Sequence, residues 1–165
     1  VISMGGSDKY NLTTTTVKSL LTIDNLHLSI IVGPFFSHSK SLMKIISSNP
    51  NVSLHISPLK IWQIFSTADI AICTGGNTLF ELACMGIPTL SIPSVEHEIK
   101  YTEKFNSQNF SLNLKLREKN LDLIKSSILQ LICDIKLQKK MSIHGQKIID
   151  GKGLSRVTKE ILNLL

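Results

Sequence analysis

The sequence predicts an α/β protein built on a doubly wound parallel sheet of about six strands. Short runs of Val, Ile and Leu alternate along the whole chain with segments that carry apolar residues at helical spacing. Runs that are apolar on both faces are typical of parallel strands covered by helices on both sides. The length of 165 residues, with no repeat or linker, suits one domain.

Each predicted strand is a short apolar run that is bounded by turn-forming residues, and each predicted helix carries an apolar stripe. The strands are predicted at Val1–Met4, Leu28–Val32, Val52–Ile56, Ile70–Cys73, Thr89–Ile92 and Phe110–Leu114. The helices are predicted at Leu12–Leu21, Ser39–Ile46, Lys60–Thr67, Asn77–Met85, Glu96–Asn106, Asn120–Ile132, Lys136–Ile148 and Leu154–Leu165. The clearest stripe consists of Leu121, Ile124, Ile128, Leu131 and Ile132.

Composition narrows the class of protein. No apolar run approaches the roughly 20 residues of a membrane helix, and the chain starts without Met on what resembles a complete strand. We therefore expect residues 1–165 to be a single domain excised from a longer, two-domain protein. Cys73, Cys84 and Cys133 have neither an even count nor metal-ligand spacing, which favours reduced cysteines, a cytoplasmic location and no metal.

The positive charge is concentrated in the last third of the chain. Residues 1–110 contain 7 basic and 7 acidic side chains, whereas residues 111–165 contain 11 and 5. A basic helical tail could contact anionic lipid or nucleic acid. The lysines, however, are interleaved with apolar residues at helical spacing, which favours solvated helix faces. We expect no nucleic-acid partner, and peripheral membrane contact is the less favoured alternative.

The polar and glycine-rich clusters follow the predicted strands. In doubly wound sheets, ligands bind outside the carboxyl ends of the strands, where the strand order reverses. The loops at those ends are Gly5–Tyr10, Gly33–His38, Ser57–Lys60, Thr74–Thr78 and Pro93–Lys100. The sequence therefore predicts one ligand site formed by several of these loops.

The most informative loop is the turn at Gly75 and Gly76, which connects a buried strand to a helix that begins near Asn77. Such a turn directs backbone N–H groups at one point, where the helix dipole favours an anion. Glu81 lies one turn further along the same helix face as Asn77 and Thr78, and its carboxylate could accept the hydroxyls of a ribose. The alternative is a capped helix with a solvent-facing glutamate.

A second glycine turn, Gly5-Gly6-Ser7-Asp8, follows the first strand. The amides of Gly6 and Ser7 could bind a phosphate or a sugar, or the segment is a tight turn in which Ser7 or Asp8 caps the helix. Neither the Gly-x-Gly-x-x-Gly fingerprint nor a Gly-Lys-Ser/Thr phosphate loop is present. A dinucleotide dehydrogenase and a P-loop NTPase are therefore disfavoured.

His97 falls on the same rim, between Glu96 and Glu98. It could bind a phosphate or transfer a proton, or it is an exposed residue at a helix start. No Ser-His-Asp order, Cys-His pair or metal cluster emerges. The sequence predicts a binding site more clearly than a catalytic one.

Five motifs, in order, carry a resemblance to a known family: Gly5-Gly-Ser-Asp-x-x-Asn-x-Thr13, Ala68-Asp-Ile-Ala-Ile72, Gly75-Gly-Asn-Thr-Leu-Phe-Glu81, Met85-Gly-Ile-Pro-Thr-Leu90 and Asp150-Gly-Lys-Gly-Leu-Ser-Arg-Val157. Together they resemble the C-terminal half of the UDP-sugar hydrolases of the pseudaminic-acid pathway and the related spore-coat polysaccharide biosynthesis proteins. These belong to the GT-B group, which includes the lipid II-forming N-acetylglucosaminyltransferase. The first and last motifs point to the hydrolase branch.

The resemblance implies a Rossmann-like domain that binds the UDP part of a nucleotide sugar and requires no cofactor. Carried over by position, the roles fall on these residues: Gly75, Gly76, Asn77 and Thr78 for the diphosphate, Glu81 for the ribose, Gly6 and Ser7 for phosphate or sugar, backbone at Ile56 and Ser57 for uracil, and His97 for the sugar. Glu98 stands where the family often has Gln, and Phe80 and Leu82 stand where the hydrolases tend to have Trp and Arg.

The resemblance places the general base in an N-terminal half that this chain lacks. We therefore expect UDP or UDP-sugar binding without turnover, with the missing N-terminal domain as the partner that completes the enzyme. The main hypothesis is the binding half of a nucleotide-sugar hydrolase for bacterial surface polysaccharide or nonulosonic acid synthesis. The alternatives are the donor-binding domain of a GT-B glycosyltransferase and a non-catalytic nucleotide-binding module.

Overall fold

The computed structural model describes residues 1–164, and within that range strands and helices alternate as far as the sixth strand. The strands are β1 Ile2–Ser3, β2 Leu28–Val32, β3 Val52–Ile56, β4 Ala71–Cys73, β5 Thr89–Ser91 and β6 Ser111–Asn113. The helices are α1 Leu12–Leu20, α2 Ser39–Ile46, α3 Ile61–Phe65, α4 Asn77–Met85, α5 Glu96–Ser107, α6 Leu121–Cys133, α7 Ile135–Ile148 and α8 Gly153–Leu162.

The six strands form one parallel sheet in the order β3-β2-β1-β4-β5-β6. The chain builds outward from β1 to β3, then returns to the centre and continues from β4 to β6. Ile2 of the central strand is in register with Ile30 on one side and Ile72 on the other. The predicted doubly wound sheet of six strands is confirmed, and its strand order reverses between β1 and β4.

Each face of the sheet is covered by its own apolar core. Neighbouring strand residues alternate between the two cores, because successive side chains in a strand point to opposite faces. Ile30 and Ile72 join α1, α2 and α6 on one face, whereas Ile31 and Cys73 join α3, α4 and α5 on the other. The sheet is thus buried on both sides, and its strand ends are left as the exposed polar edges.

Several predicted boundaries differ from the structure by a few residues. The strand predicted at Val1–Met4 forms ladder bonds only over Ile2–Ser3, and the one predicted at Phe110–Leu114 only over Ser111–Asn113. The helix predicted at Lys60–Thr67 is shorter, spanning Ile61–Phe65. Apolar runs mark buried residues, whereas the hydrogen-bonded ladder ends sooner, where the chain starts to turn.

The last helix differs most from its sequence-based prediction. It was expected at Leu154–Leu165 and spans Gly153–Leu162, and Leu165 lies outside the described residues. None of its residues is buried. An ion pair links the helix to the preceding loop, with Arg156 Nη1 at 2.7 Å from Asp150 Oδ2 and Nη2 at 3.0 Å from Oδ1. Within residues 1–164, no helix combines the length and apolarity needed to cross a membrane.

Helices α4 and α7 pack closely at Gly145, which gives a direct test of the core. A Cβ at this position would lie 2.6 Å from Phe110 Cδ2 and 2.9 Å from the Ala83 carbonyl oxygen. We predict that Gly145→Ala lowers the free energy of unfolding by about 1–3 kcal/mol, because the fixed backbone carbonyl must move.

The matched control for that substitution is Gly153→Ala, since a Cβ at Gly153 meets no atom within 4 Å. Its effect in the same denaturant titration should stay within about 0.5 kcal/mol. Equal destabilisation by both substitutions would contradict the α4–α7 packing.

Candidate functional site

The loops that follow β1 and β4 lie next to each other at the point where the strand order reverses. The β1 loop contains Gly5 and Gly6, and the β4 loop contains Gly75 and Gly76. In open α/β sheets, this switch point is where ligands bind. The structure therefore brings the two glycine turns singled out in the sequence to one crevice.

The β1 loop is organised by Asp8. Its buried carboxylate accepts the backbone N–H groups of Leu12 and Thr13 at 2.9 and 2.8 Å, so that it caps α1. Ser7, the other predicted cap, is exposed and has no hydrogen-bond partner among residues 1–164. With the cap supplied by Asp8, Gly6 and Ser7 remain exposed at the crevice.

The β1 loop is also held by a close backbone contact. A Cβ at Gly33, in the loop after β2, would lie 2.3 Å from the Gly6 carbonyl oxygen. That oxygen accepts the Phe35 N–H at 3.1 Å. Only glycine at position 33 permits this approach. The contact fixes the position of the β1 loop relative to the β2 loop.

The β4 loop presents the start of α4 to the crevice. Gly76 is the N-cap residue, and no side chain in residues 1–164 caps the first turn. The N–H groups of Asn77 and Thr78 belong to that turn, and both residues are accessible. Free N–H groups at the positive end of a helix dipole favour an anion such as a phosphate.

Gly75 is buried beneath this turn and contacts α5. A Cβ there would lie 2.7 Å from Glu98 Cβ and 2.8 Å from Thr102 Cγ2. The two glycines of the turn therefore have different roles: Gly75 allows α5 to pack against the backbone, and Gly76 leaves room above the helix end.

Glu98, in the first turn of α5, places a buried carboxylate beside this turn. Its Oε2 accepts the backbone N–H of Ser94 at 2.7 Å and the Ser94 hydroxyl at 3.0 Å. Its Oε1 lies 3.4 Å from the position of a Cβ on Gly76.

Burial raises the pKa of the Cys73 thiol, and the charges of Glu98 and Glu81 raise it further, so Cys73 is not a nucleophile.

Glu81 lies on the helix face predicted for it, one turn after Asn77. Its side chain is accessible at the crevice, and partial burial raises its pKa above the ordinary value for a glutamate. No hydrogen-bond partner for its carboxylate is found in residues 1–164. The oxygens are free to accept the hydroxyls of a ligand.

Ile56 and Ser57 end the edge strand β3. The Ser57 N–H donates to the Val32 carbonyl at 2.9 Å and so continues the ladder with β2. Because successive residues of a strand direct their hydrogen-bonding groups to opposite sides, the N–H and C=O of Ile56 face the open edge. Ser57 has a φ of 47°, which turns the chain toward α3.

His97 is exposed, and none of residues 1–164 forms a hydrogen bond with its ring. Its neighbour Glu98 bonds to Ser94 instead of accompanying His97 at the surface. The structure thus separates His97 from one of the two carboxylates that flank it in the sequence.

Arg117 contacts the loops after β1 and β5, although its sequence context does not single it out. It lies in the loop after β6, with its guanidinium carbon 3.9 Å from the centre of the Tyr10 ring and its Nε donating to the Ser94 carbonyl at 2.9 Å. One available signal was that the chain has only two arginines, Arg117 and Arg156. Nothing in the local sequence pairs Arg117 with Tyr10.

A cavity of about 580 Å³ lies at the opposite, amino ends of the strands. Its lining mixes apolar residues such as Leu20 and Ile128 with polar ones such as His27 and Asp69. No glycine turn contributes to this lining, so the switch-point crevice, with its free helix N-terminus, is the better candidate for a phosphate-bearing ligand. In the described part of the chain, no cluster of His, Cys, Asp and Glu could hold a metal ion.

Comparison with known proteins assigns the chain to a family. The model for the glycosyltransferase family 28 C-terminal domain matches residues 1–153. The chain belongs to this family. Spore coat polysaccharide biosynthesis protein SpsG of Bacillus subtilis (strain 168) is 25% identical over 168 residues, which cover 99% of this chain and 50% of SpsG. The chain thus spans about half the length of this curated relative.

Solved structures show the same fold. MurG of Acinetobacter baumannii superposes with a TM-score of 0.70 at 15% identity, covering 88% of this chain and 44% of that protein. The spinosyn rhamnosyltransferase SpnG, solved with thymidine diphosphate, gives 0.72 at 19% identity, covering 90% of this chain and 40% of SpnG. At these identities the likeness concerns the fold alone, and it confirms the predicted Rossmann-like C-terminal domain of the GT-B type.

The different roles of Gly75 and Gly76 can be tested by paired substitutions. We predict that Gly75→Ala lowers the free energy of unfolding by about 1–3 kcal/mol, because the new methyl group meets the backbone and side chain of Glu98. Gly76→Ala should cost less than about 1 kcal/mol, since its φ of −82° suits any residue. Denaturant titration measures both, and the reverse order of the two effects would contradict this geometry.

Proposed function

We propose that this chain is the donor-binding half of a two-domain GT-B glycosyltransferase that uses a nucleoside diphosphate sugar, with UDP as the nucleotide. The observation that carries the proposal is the uncapped N-terminus of α4 at the switch point, with Glu81 one turn along the same helix. Family membership supports it, because the matched family is a glycosyltransferase domain.

The three parts of the nucleotide find complementary groups along the crevice. The diphosphate lies on the N–H groups of Asn77 and Thr78 above Gly76, within reach of the Gly6 and Ser7 amides. The ribose hydroxyls donate to the Glu81 carboxylate. The uracil pairs with the free backbone N–H and C=O of Ile56 at the edge of β3, next to Ser57.

Transfer is favoured over hydrolysis as the parent reaction. The matched family is a glycosyltransferase domain and the neighbour SpnG is named a rhamnosyltransferase, whereas the chain has Phe80 and Leu82 where the hydrolases tend to have Trp and Arg. Groups that bind the nucleotide stabilise the leaving group as the glycosidic bond breaks. The base that activates the acceptor is assigned to the N-terminal half, so this chain alone binds the donor without turnover.

The biological role that we propose is the synthesis of a surface polysaccharide in the cytoplasm. The support comes from the 25% identity to SpsG, whose name places that protein in spore coat polysaccharide biosynthesis. The identity of the sugar is determined mainly by the other half of such an enzyme.

Nucleotide titration tests the proposed function. Calorimetry with UDP, CMP and NAD on the 165-residue chain should give the strongest binding for UDP. Incubation of the same chain with a UDP-sugar should release no free sugar. Preferential binding of NAD would contradict the proposal, and the absence of binding by all three nucleotides would reduce the domain to a scaffold.

The role of Glu81 can be tested through pH. We predict that Glu81→Gln weakens UDP binding by roughly 1–3 kcal/mol, because charged hydrogen bonds to the ribose are lost. The raised pKa of Glu81 means that it protonates at a higher pH than an ordinary glutamate. Wild-type affinity should therefore fall as the pH is lowered through that pKa.

In Glu81→Gln the pH dependence that comes from this carboxylate should disappear. Glu103→Gln, at an exposed position of α5, is the matched control and should leave both affinity and pH dependence unchanged. An affinity for UDP that Glu81→Gln does not alter would remove Glu81 from the ribose site.

A further inference from the structure

Arg117 and Arg156 are the only arginines of the chain, and all other residues in its total of 18 Lys and Arg are lysines. Arg differs from Lys in having a planar fork of donors that suits two oxygens of one oxyanion. Arg156 uses that fork on Asp150, with contacts of 2.7 and 3.0 Å, and lowers the pKa of Asp150 to about 2. Arg117 has no acidic partner in residues 1–164.

The orientation of the Arg117 guanidinium is nevertheless fixed from two sides. Its face lies against the Tyr10 ring, with 3.9 Å between the guanidinium carbon and the ring centre, and its Nε donates to the Ser94 carbonyl at 2.9 Å. With Nε engaged, the edge formed by Nη1 and Nη2 is the part of the fork that remains available, and neither atom has a partner in residues 1–164.

The two contacts also place the guanidinium between two loops at the carboxyl ends of the strands. Tyr10 belongs to the loop after β1 and Ser94 to the loop after β5, and β4 lies between these strands in the sheet. A group that contacts both loops therefore lies beside the end of β4, where the turn at Gly75 and Gly76 begins. Ser94 is also the residue to which Glu98 bonds, so Ser94 and Glu98 connect Arg117 to that turn.

The backbone at Arg117 has a φ of 54°, a conformation that glycine and asparagine adopt most easily. An arginine in this conformation is held there by its side-chain contacts and by the bond from its own N–H to the Pro93 carbonyl at 2.7 Å.

We propose that Arg117 is an oxyanion-binding residue of the crevice, which takes two oxygens of a substrate phosphate or carboxylate on its Nη1 and Nη2 atoms. The inference rests on the proposed function for the identity of the substrate. The distal phosphate of UDP and a carboxylate on the sugar are the two sources of such an oxyanion. Both present paired oxygens to a planar fork.

The two arginines allow a direct observation of the site. In a sample labelled with ¹⁵N only at arginine, the Nε–Hε group of Arg117 should shift saturably on titration with inorganic pyrophosphate, while that of Arg156 should stay in place. The signal that is lost in Arg117→Lys provides the assignment. A response of Arg117 no larger than that of Arg156 would overturn the proposal.

Affinity measurements distinguish the source of the oxyanion. Arg117→Lys should weaken UDP binding by about tenfold to a hundredfold relative to UMP if the distal phosphate is the ligand, because paired charged hydrogen bonds are lost. A loss confined to UDP-glucuronate, compared with UDP-glucose, would assign the sugar carboxylate. Unchanged affinity for all four nucleotides would refute an oxyanion role for Arg117.

Two controls separate this inference from folding and from the proposed function. Arg117→Gly suits the positive φ, so its unfolding midpoint should stay close to that of the wild type while the affinity falls. Arg156→Lys should leave every affinity unchanged. If pyrophosphate shifts the Arg117 signal but no nucleotide binds, the oxyanion role of Arg117 stands and the proposed UDP function is wrong. If UDP binds but the Arg117 signal does not shift, the UDP function stands and the oxyanion role is wrong.

Discussion

The candidate site depends on the direct packing of helix α5 against the backbone of the β4–α4 turn at Gly75. Because a side chain there would overlap Glu98 and Thr102, only glycine permits this approach. The close packing of α5 sets the position of Glu98, whose carboxylate accepts a hydrogen bond from Ser94. The Ser94 carbonyl in turn accepts a hydrogen bond from Arg117 Nε. One close contact therefore positions three loops of the crevice relative to the start of α4.

The crevice combines an anion-binding helix end with two carboxylates, and the balance between them limits what it can bind. A unit charge on a phosphate about 6 Å from a carboxylate is repelled by roughly 3 kcal/mol at an effective dielectric constant of about 20. The helix dipole alone offsets about 0.3–1 kcal/mol of this repulsion. The Ser94 donors that hold Glu98 and the nearby Arg117 guanidinium act in the same direction. The arrangement is suited to a ligand that carries both an anion and hydroxyl donors.

The sequence was sufficient to predict the fold because its signals are local. Strands β2 and β3 and helices α2 and α4 were predicted with their observed bounds, since each is an apolar run or stripe between clear turn residues. The rule that ligands bind outside the carboxyl ends of the strands also predicted correctly that the two glycine turns lie at one place. Asp8 was one of two proposed caps, and the structure selects it over Ser7.

What the sequence could not provide were contacts between distant loops. Arg117 stacks on Tyr10, although most of the chain separates the two residues in the sequence. No periodicity or spacing predicts this contact. The sequence places Glu98 beside His97, whereas the fold turns its carboxylate inward to Ser94. Helical spacing predicts Leu121 in the apolar stripe of α6, but Leu121 is 41% exposed because it lies at the first turn of the helix. Such features follow from tertiary packing.

The central claim is that the switch-point crevice binds the diphosphate of a nucleotide. Backbone amide shifts in a ¹H–¹⁵N spectrum of the chain, recorded during titration with UDP, test it most directly. The account predicts that the largest saturable shifts belong to Gly6, Asn77 and Thr78. Largest shifts at Leu20, Ile70 and Ile128, which line the cavity at the opposite ends of the strands, would contradict it.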